Sequence, residues 1–127
     1  MDVNNCEFLH QQGEQLARSG DYEAALKHYN QSLEIDPSDY LAWIRRGCIL
    51  THLDRYQEAL ESFETALSIC PQDRTAWVFR GVTLHHLGDY DRAYSSYARS
   101  EGKERSAIAS KLTQVVHRFL DAAMSEY

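Results

Sequence analysis

The chain has 127 residues, 43% of them hydrophobic and 11% aromatic, which is enough for one ordinary core and too apolar for a disordered tail. A net charge of -6, with no basic cluster longer than Arg45-Arg46, lacks the electrostatic footprint of a nucleic-acid binder. Two prolines and six glycines are too few for the frequent turns of an all-β architecture, so helix is the first expectation.

No run is apolar enough for a membrane span, and MDVNNCEFLH lacks the basic and apolar regions of a secretory leader, so no membrane partner is expected. Cys6, Cys48 and Cys70 are odd in number and show no CxxC spacing. That argues against a disulfide framework and for a reducing, cytoplasmic setting.

The elements are set by a repeat. Gly13, Gly47 and Gly81 lie 34 residues apart, and so do Tyr22, Tyr56 and Tyr90, Ala25, Ala59 and Ala93, and Tyr29, Phe63 and Tyr97. Trp43 and Trp77 keep the same interval, as do Pro37 and Pro71. The chain therefore divides into units 6–39, 40–73 and 74–107 of a single domain spanning 1–127.

In the first unit a helix carrying Gly13 ends at Ser19-Gly20-Asp21, and a second helix carries Tyr22, Ala25 and Tyr29. Asp36-Pro37-Ser38-Asp39 then breaks the helix, because proline removes a donor and biases its predecessor away from helical backbone. The second unit places Trp43, Arg46, Gly47 and Leu50 on one helical face, turns at Asp54-Arg55, and continues with Tyr56, Ala59, Leu60, Phe63 and Leu67. Cys70-Pro71-Gln72-Asp73 separates it from the third unit, whose turn is Gly88-Asp89. After Gly102, residues 105–124 put Ile108, Leu112, Val115, Val116, Phe119, Leu120 and Ala123 on one face, a seventh helix. It is expected to cap the last repeat, with pairing to a second chain or folding into the protein's own groove as the other reading.

The small residues have a packing role: glycine in each first helix and alanine in each second helix let two axes approach, and the aromatic of the series fills the adjoining space. One pair cannot bury its stripe alone, so neighbouring pairs must cover it.

Trp43, Gly47, Leu50, Ala59, Phe63 and Pro71 together resemble the tetratricopeptide repeat, and the resemblance covers residues 6–107. Two departures stand out: Gln12, Arg46 and Arg80 occupy the place of a leucine usual in the family, and Arg105 replaces the third proline. The resemblance implies a right-handed, all-α solenoid of three helix-turn-helix repeats with a seventh capping helix. It also implies a scaffold or adaptor that binds a peptide or helix of a partner protein in a concave groove, and is no enzyme. The alternative is a self-assembly module, a homo-oligomer formed through the C-terminal helix or the repeat ends.

The family's inward positions select three strips. The first contains Glu7, His10, Gln11, Glu14, Ala17 and Arg18, the second Leu41, Ile44, Arg45, Cys48, Thr51 and His52, and the third Thr75, Val78, Phe79, Val82, His85 and His86. Ile44, Cys48, Val78, Phe79 and Val82 form an expected apolar floor, and Arg18, Arg45, His52, His85 and His86 surround it with donors. Two readings of Phe79 and Val82 stand, groove floor or burial between repeats; Arg45 either grips a ligand carboxylate or pairs with Glu14.

The family's carboxylate clamp for chaperone C-termini needs two lysines, an arginine and two asparagines. His10, Glu14, Arg45, Thr75 and Phe79 stand in those places, so that mode is not expected. His52, His85 and His86 lack further ligands for a metal site, no nucleophile sits beside an oriented base, and no phosphate loop is present. No metal or cofactor is expected. Protonation of these histidines would make the groove sensitive to pH.

Overall fold

The turns between the paired helices recur with the repeat. The computed structural model describes residues 2–102, 114–116 and 118. Its helices are α1 (Asp2–Arg18), α2 (Tyr22–Ile35), α3 (Tyr40–His52), α4 (Tyr56–Ile69), α5 (Arg74–His86) and α6 (Tyr90–Ser100). Residues 114–116 and 118 are also helical, and the rest of the expected 105–124 helix lies outside the described residues. Among the described residues there is no strand.

Each first helix ends in the same hydrogen-bonded turn. Asp21 N–H donates to Leu16 O at 2.8 Å, and Arg55 to Leu50 O and Asp89 to Leu84 O follow at 2.9 Å, each closing a Schellman motif. The motif requires left-handed backbone at the residue before the donor, which is Gly20 at φ +86° and Gly88 at φ +83°, but Asp54 at φ 58°. The donor residue then caps the second helix: Asp21 and Asp89 accept from Ala24 and Arg92 N–H at 3.3 Å, whereas Arg55 supplies no side-chain cap.

The hairpins α1/α2, α3/α4 and α5/α6 stack in chain order, and the core runs through them from α2 to α5. Ala25, Ala59 and Ala93 are fully buried, as is Phe63, and Tyr29 is 2% exposed. A Cβ built on Gly47 would stand 2.6 Å from the Phe63 ring, so α3 and α4 approach at a distance that only glycine permits.

The arginines in the usual leucine position tie three helices together. Arg46 in α3 donates from Nε to Asn30 Oδ1 of α2 at 2.7 Å and from NH1 to Ser62 Oγ of α4 at 2.5 Å. Arg80 in α5 repeats the forward bond to Ser96 Oγ at 2.7 Å and lies 3.7 Å from Glu64 of α4. Both guanidinium groups also lie over a tryptophan, Arg46 on Trp43 at 5.7 Å and Arg80 on Trp77 at 5.6 Å. The indoles in turn donate to loop carbonyls, Trp43 to Pro37 O at 2.8 Å and Trp77 to Pro71 O at 2.7 Å. Polar groups thus do the packing at these two positions.

Candidate functional site

The first helices of successive hairpins lie side by side, and a cleft of about 370 Å³ opens where α1, α2 and α3 meet. Glu14, Ala17, Arg18, Tyr22, Tyr29, Arg45, Cys48, Ile49 and His52 line it. Four of the expected site residues, Arg18, Arg45, Cys48 and His52, therefore come together here. The volume falls within the range of small-molecule and side-chain pockets.

Charge collects at the rim. Glu14 Oε1 is 3.4 Å from Arg18 NH2, and its Oε2 is 3.8 Å from Arg45 NH1. Arg45 is thus paired with Glu14. Deeper in, burial raises the Tyr29 hydroxyl above its ordinary value, and the Arg45 guanidinium beside it opposes that rise. Burial likewise pushes the Cys48 thiol up to about 11, with Arg45 again opposing, so this thiol is protonated at neutral pH and is a wall rather than a nucleophile.

His52 is stacked face to face on Tyr22, with centroids 4.6 Å apart. His86 repeats the arrangement on Tyr56 at 4.6 Å, and His85 meets Tyr90 edge-on at 5.0 Å. Each of the two stacks joins one repeat to the next. Among the described residues no group of three or more His, Cys, Asp or Glu side chains is placed to hold a metal ion. His10 Nε2, also on α1, is 3.3 Å from Asp39 Oδ2 but out of line for a hydrogen bond.

On α5 the expected floor is partly open. Val78 is 39% and Phe79 36% exposed, Val82 is half-buried, and the Phe79 ring lies 5.7 Å from that of buried Phe63. Phe79 thus has one face on the core and one toward solvent. Leu41 is exposed on α3. Ile44 corrects the expectation: it is 6% exposed and belongs to the core, because its side chain faces the neighbouring hairpins rather than the open side of α3.

Tyr29 and Tyr22 enter the cleft from α2, a helix that the inward-position reading left out. A signal for Tyr29 was present, since a tyrosine where the next unit has phenylalanine brings a hydroxyl that needs a polar partner. That hydroxyl donates to His10 O at 3.4 Å.

These features define a stacked-hairpin α-solenoid with an open side-chain cleft, the class of helical-repeat interaction domains. The profile of the tetratricopeptide repeat matches residues 13–79, more than half of the chain, and the chain belongs to this family. Its fold mediates protein–protein interaction in general. No curated protein sequence matches.

Solved structures with the same fold include the second TPR of Spaghetti (RPAP3) bound to the HSP90 peptide SRMEEVD, at TM-score 0.76 and 20% identity over 81% of this chain and 97% of that one. The Arabidopsis OM64 TPR domain matches at TM-score 0.76 and 16% identity, over 89% of this chain and 96% of that one. MamA 41-end from Desulfovibrio magneticus RS-1 matches at TM-score 0.70 and 25% identity, with 75% of this chain covering 54% of it. Among the described residues no helix is long and apolar enough to cross a membrane.

Proposed function

We propose that the chain is a cytoplasmic adaptor, not an enzyme, that holds a peptide or helix of a partner protein along α1, α3 and α5. The observation that carries this reading is the exposure of Val78 and Phe79, 39% and 36%, on the helix that follows the cleft. Phe79 occupies in α5 the repeat position that Arg45 occupies in α3, so an apolar contact and a polar cleft lie along one track. An apolar anchor beside a hydrogen-bonding rim suits a segment with both kinds of side chain. Stacking holds this surface in place before a partner arrives, which lowers the ordering cost of binding. The peptide-bound RPAP3 domain of the same fold lends support at the level of architecture.

The test is capture of partner proteins from native cell extract by the wild type and by Phe79→Ala/Arg45→Ala. Capture is lost in the variant while helicity and melting are kept; capture that survives the double change overturns the reading.

The repeat ends favour a second reading, assembly of copies of the chain. Phe8 is 56% exposed where Ala42 and Ala76 are fully buried, and Tyr94 is 64% exposed where Leu26 and Leu60 are 6% and 5%. Sedimentation that stays monomeric at every concentration removes this reading.

A further inference from the structure

The cleft between α1 and α3 is charged at its rim and apolar below. Ala17, Ile49, the protonated Cys48 and the Tyr22–His52 stack form its walls. At the rim one carboxylate spans two cations, since each oxygen of Glu14 faces a different guanidinium. The Arg18, Glu14 and Arg45 side chains are 78%, 45% and 40% exposed, and separations of 3.4 and 3.8 Å are long for charge-assisted hydrogen bonds. Such pairs are weak and exchange readily with solvent.

We propose that Glu14 is a built-in substitute for a ligand carboxylate: it occupies Arg18 and Arg45, keeps acidic peptides out of the cleft, and leaves the cleft to a neutral apolar side chain. This rests on the groove reading and names the ligand chemistry of its first site. An incoming carboxylate has to displace Glu14, whose own charge then stays on the adjoining helix face and repels the newcomer. A neutral side chain leaves the three-residue arrangement intact and covers apolar wall beneath it. With glutamine at position 14 the two guanidinium groups lose their internal anion, and the cleft becomes anion-seeking.

Two heptapeptides test this by fluorescence anisotropy: SRMEEVD, the acidic sequence bound in the RPAP3 structure, and SRMQQVN, the same sequence with its three acidic side chains replaced by amides. Wild type favours SRMQQVN, and Glu14→Gln gains about tenfold in affinity for SRMEEVD, so the order of preference reverses. Glu34→Gln is the control, because Glu34 is exposed on α2, outside both the cleft lining and the inward strips, and removes the same charge. Circular dichroism verifies that each variant is folded.

A Glu14→Gln protein that binds SRMEEVD no better than wild type overturns the proposal, as does a wild type that prefers SRMEEVD. An equal gain from Glu34→Gln also overturns it, because net charge alone then accounts for the effect. None of these outcomes bears on partner capture through Phe79, so the groove reading stands or falls on its own experiment.

Discussion

Arg46 reaches across the hairpin to Ser62, its NH1 donating to the serine hydroxyl at 2.5 Å in a position where that serine is fully buried. The same guanidinium binds Asn30, so one side chain of α3 holds α2 and α4 in register. Burial lowers the Arg46 pKa below that of an ordinary guanidinium, yet the group stays charged.

Truncation of that side chain removes both bonds, leaves Ser62 short of a donor and uncovers Trp43. Arg46→Ala is expected to cost about 2 kcal/mol in chemical denaturation. Arg46→Leu combined with Ser62→Ala recovers most of the loss, because an apolar pair of fitting shape leaves no buried polar group unmatched. The double-mutant cycle measures the coupling directly.

Gly47 and Phe63 admit no added carbon between them. A Cβ at position 47 meets three Phe63 ring atoms at 2.6 to 2.9 Å, and that ring is fully buried. Gly47→Ala therefore destabilises by about 1 to 3 kcal/mol despite the better helix propensity of alanine. Adding Phe63→Leu restores part of it, a result that thermal melts of the two variants check.

The three equivalent turns predict opposite effects. Gly88 has φ +83° with nothing within 4 Å of a built Cβ, so Gly88→Ala pays only for left-handed backbone, about 1 kcal/mol. Asp54 already bears that strain at φ 58°, and its exposed hydrogen bond from Tyr56 at 2.9 Å offsets little of it. Asp54→Gly accordingly raises the melting temperature.

The Cys48 thiol titrates at about 11 rather than 9.0 because it is buried. In a variant lacking Cys6 and Cys70, alkylation by iodoacetamide stays slow at pH 8 and accelerates only as pH approaches 11. The unfolded chain loses this proton first, so the Cys48 contribution to stability is fully present below pH 9 and fades as pH rises through 11. Cys48→Ala abolishes that part of the alkaline decline.

The hairpins were legible because glycine, alanine and aromatic positions recur at one interval, and α2, α4 and α6 begin at Tyr22, Tyr56 and Tyr90 in that register. The repeat register places the first unit from Cys6, and α1 begins at Asp2 because no proline or glycine stands between the two to break the helix. Ile44 escaped because a carried-over inward position specifies a direction on the helix but not how far the neighbouring hairpin covers it. The histidine stacks escaped for a related reason. His52 and His86 meet tyrosines 30 residues earlier, and a 34-residue register reveals equivalence between units rather than contact across their boundary.

The indole bonds to Pro37 and Pro71 carry a spectroscopic consequence. Trp43 and Trp77 are the two tryptophans of the chain, one each at the entrance of α3 and α5, and the α1/α2 hairpin has none. Emission from the indoles therefore follows the second and third hairpins, whereas far-ultraviolet dichroism sums every helix. If the first hairpin opens before the others, ellipticity falls while emission holds, so the native sequence contains its own reporter of where unravelling begins.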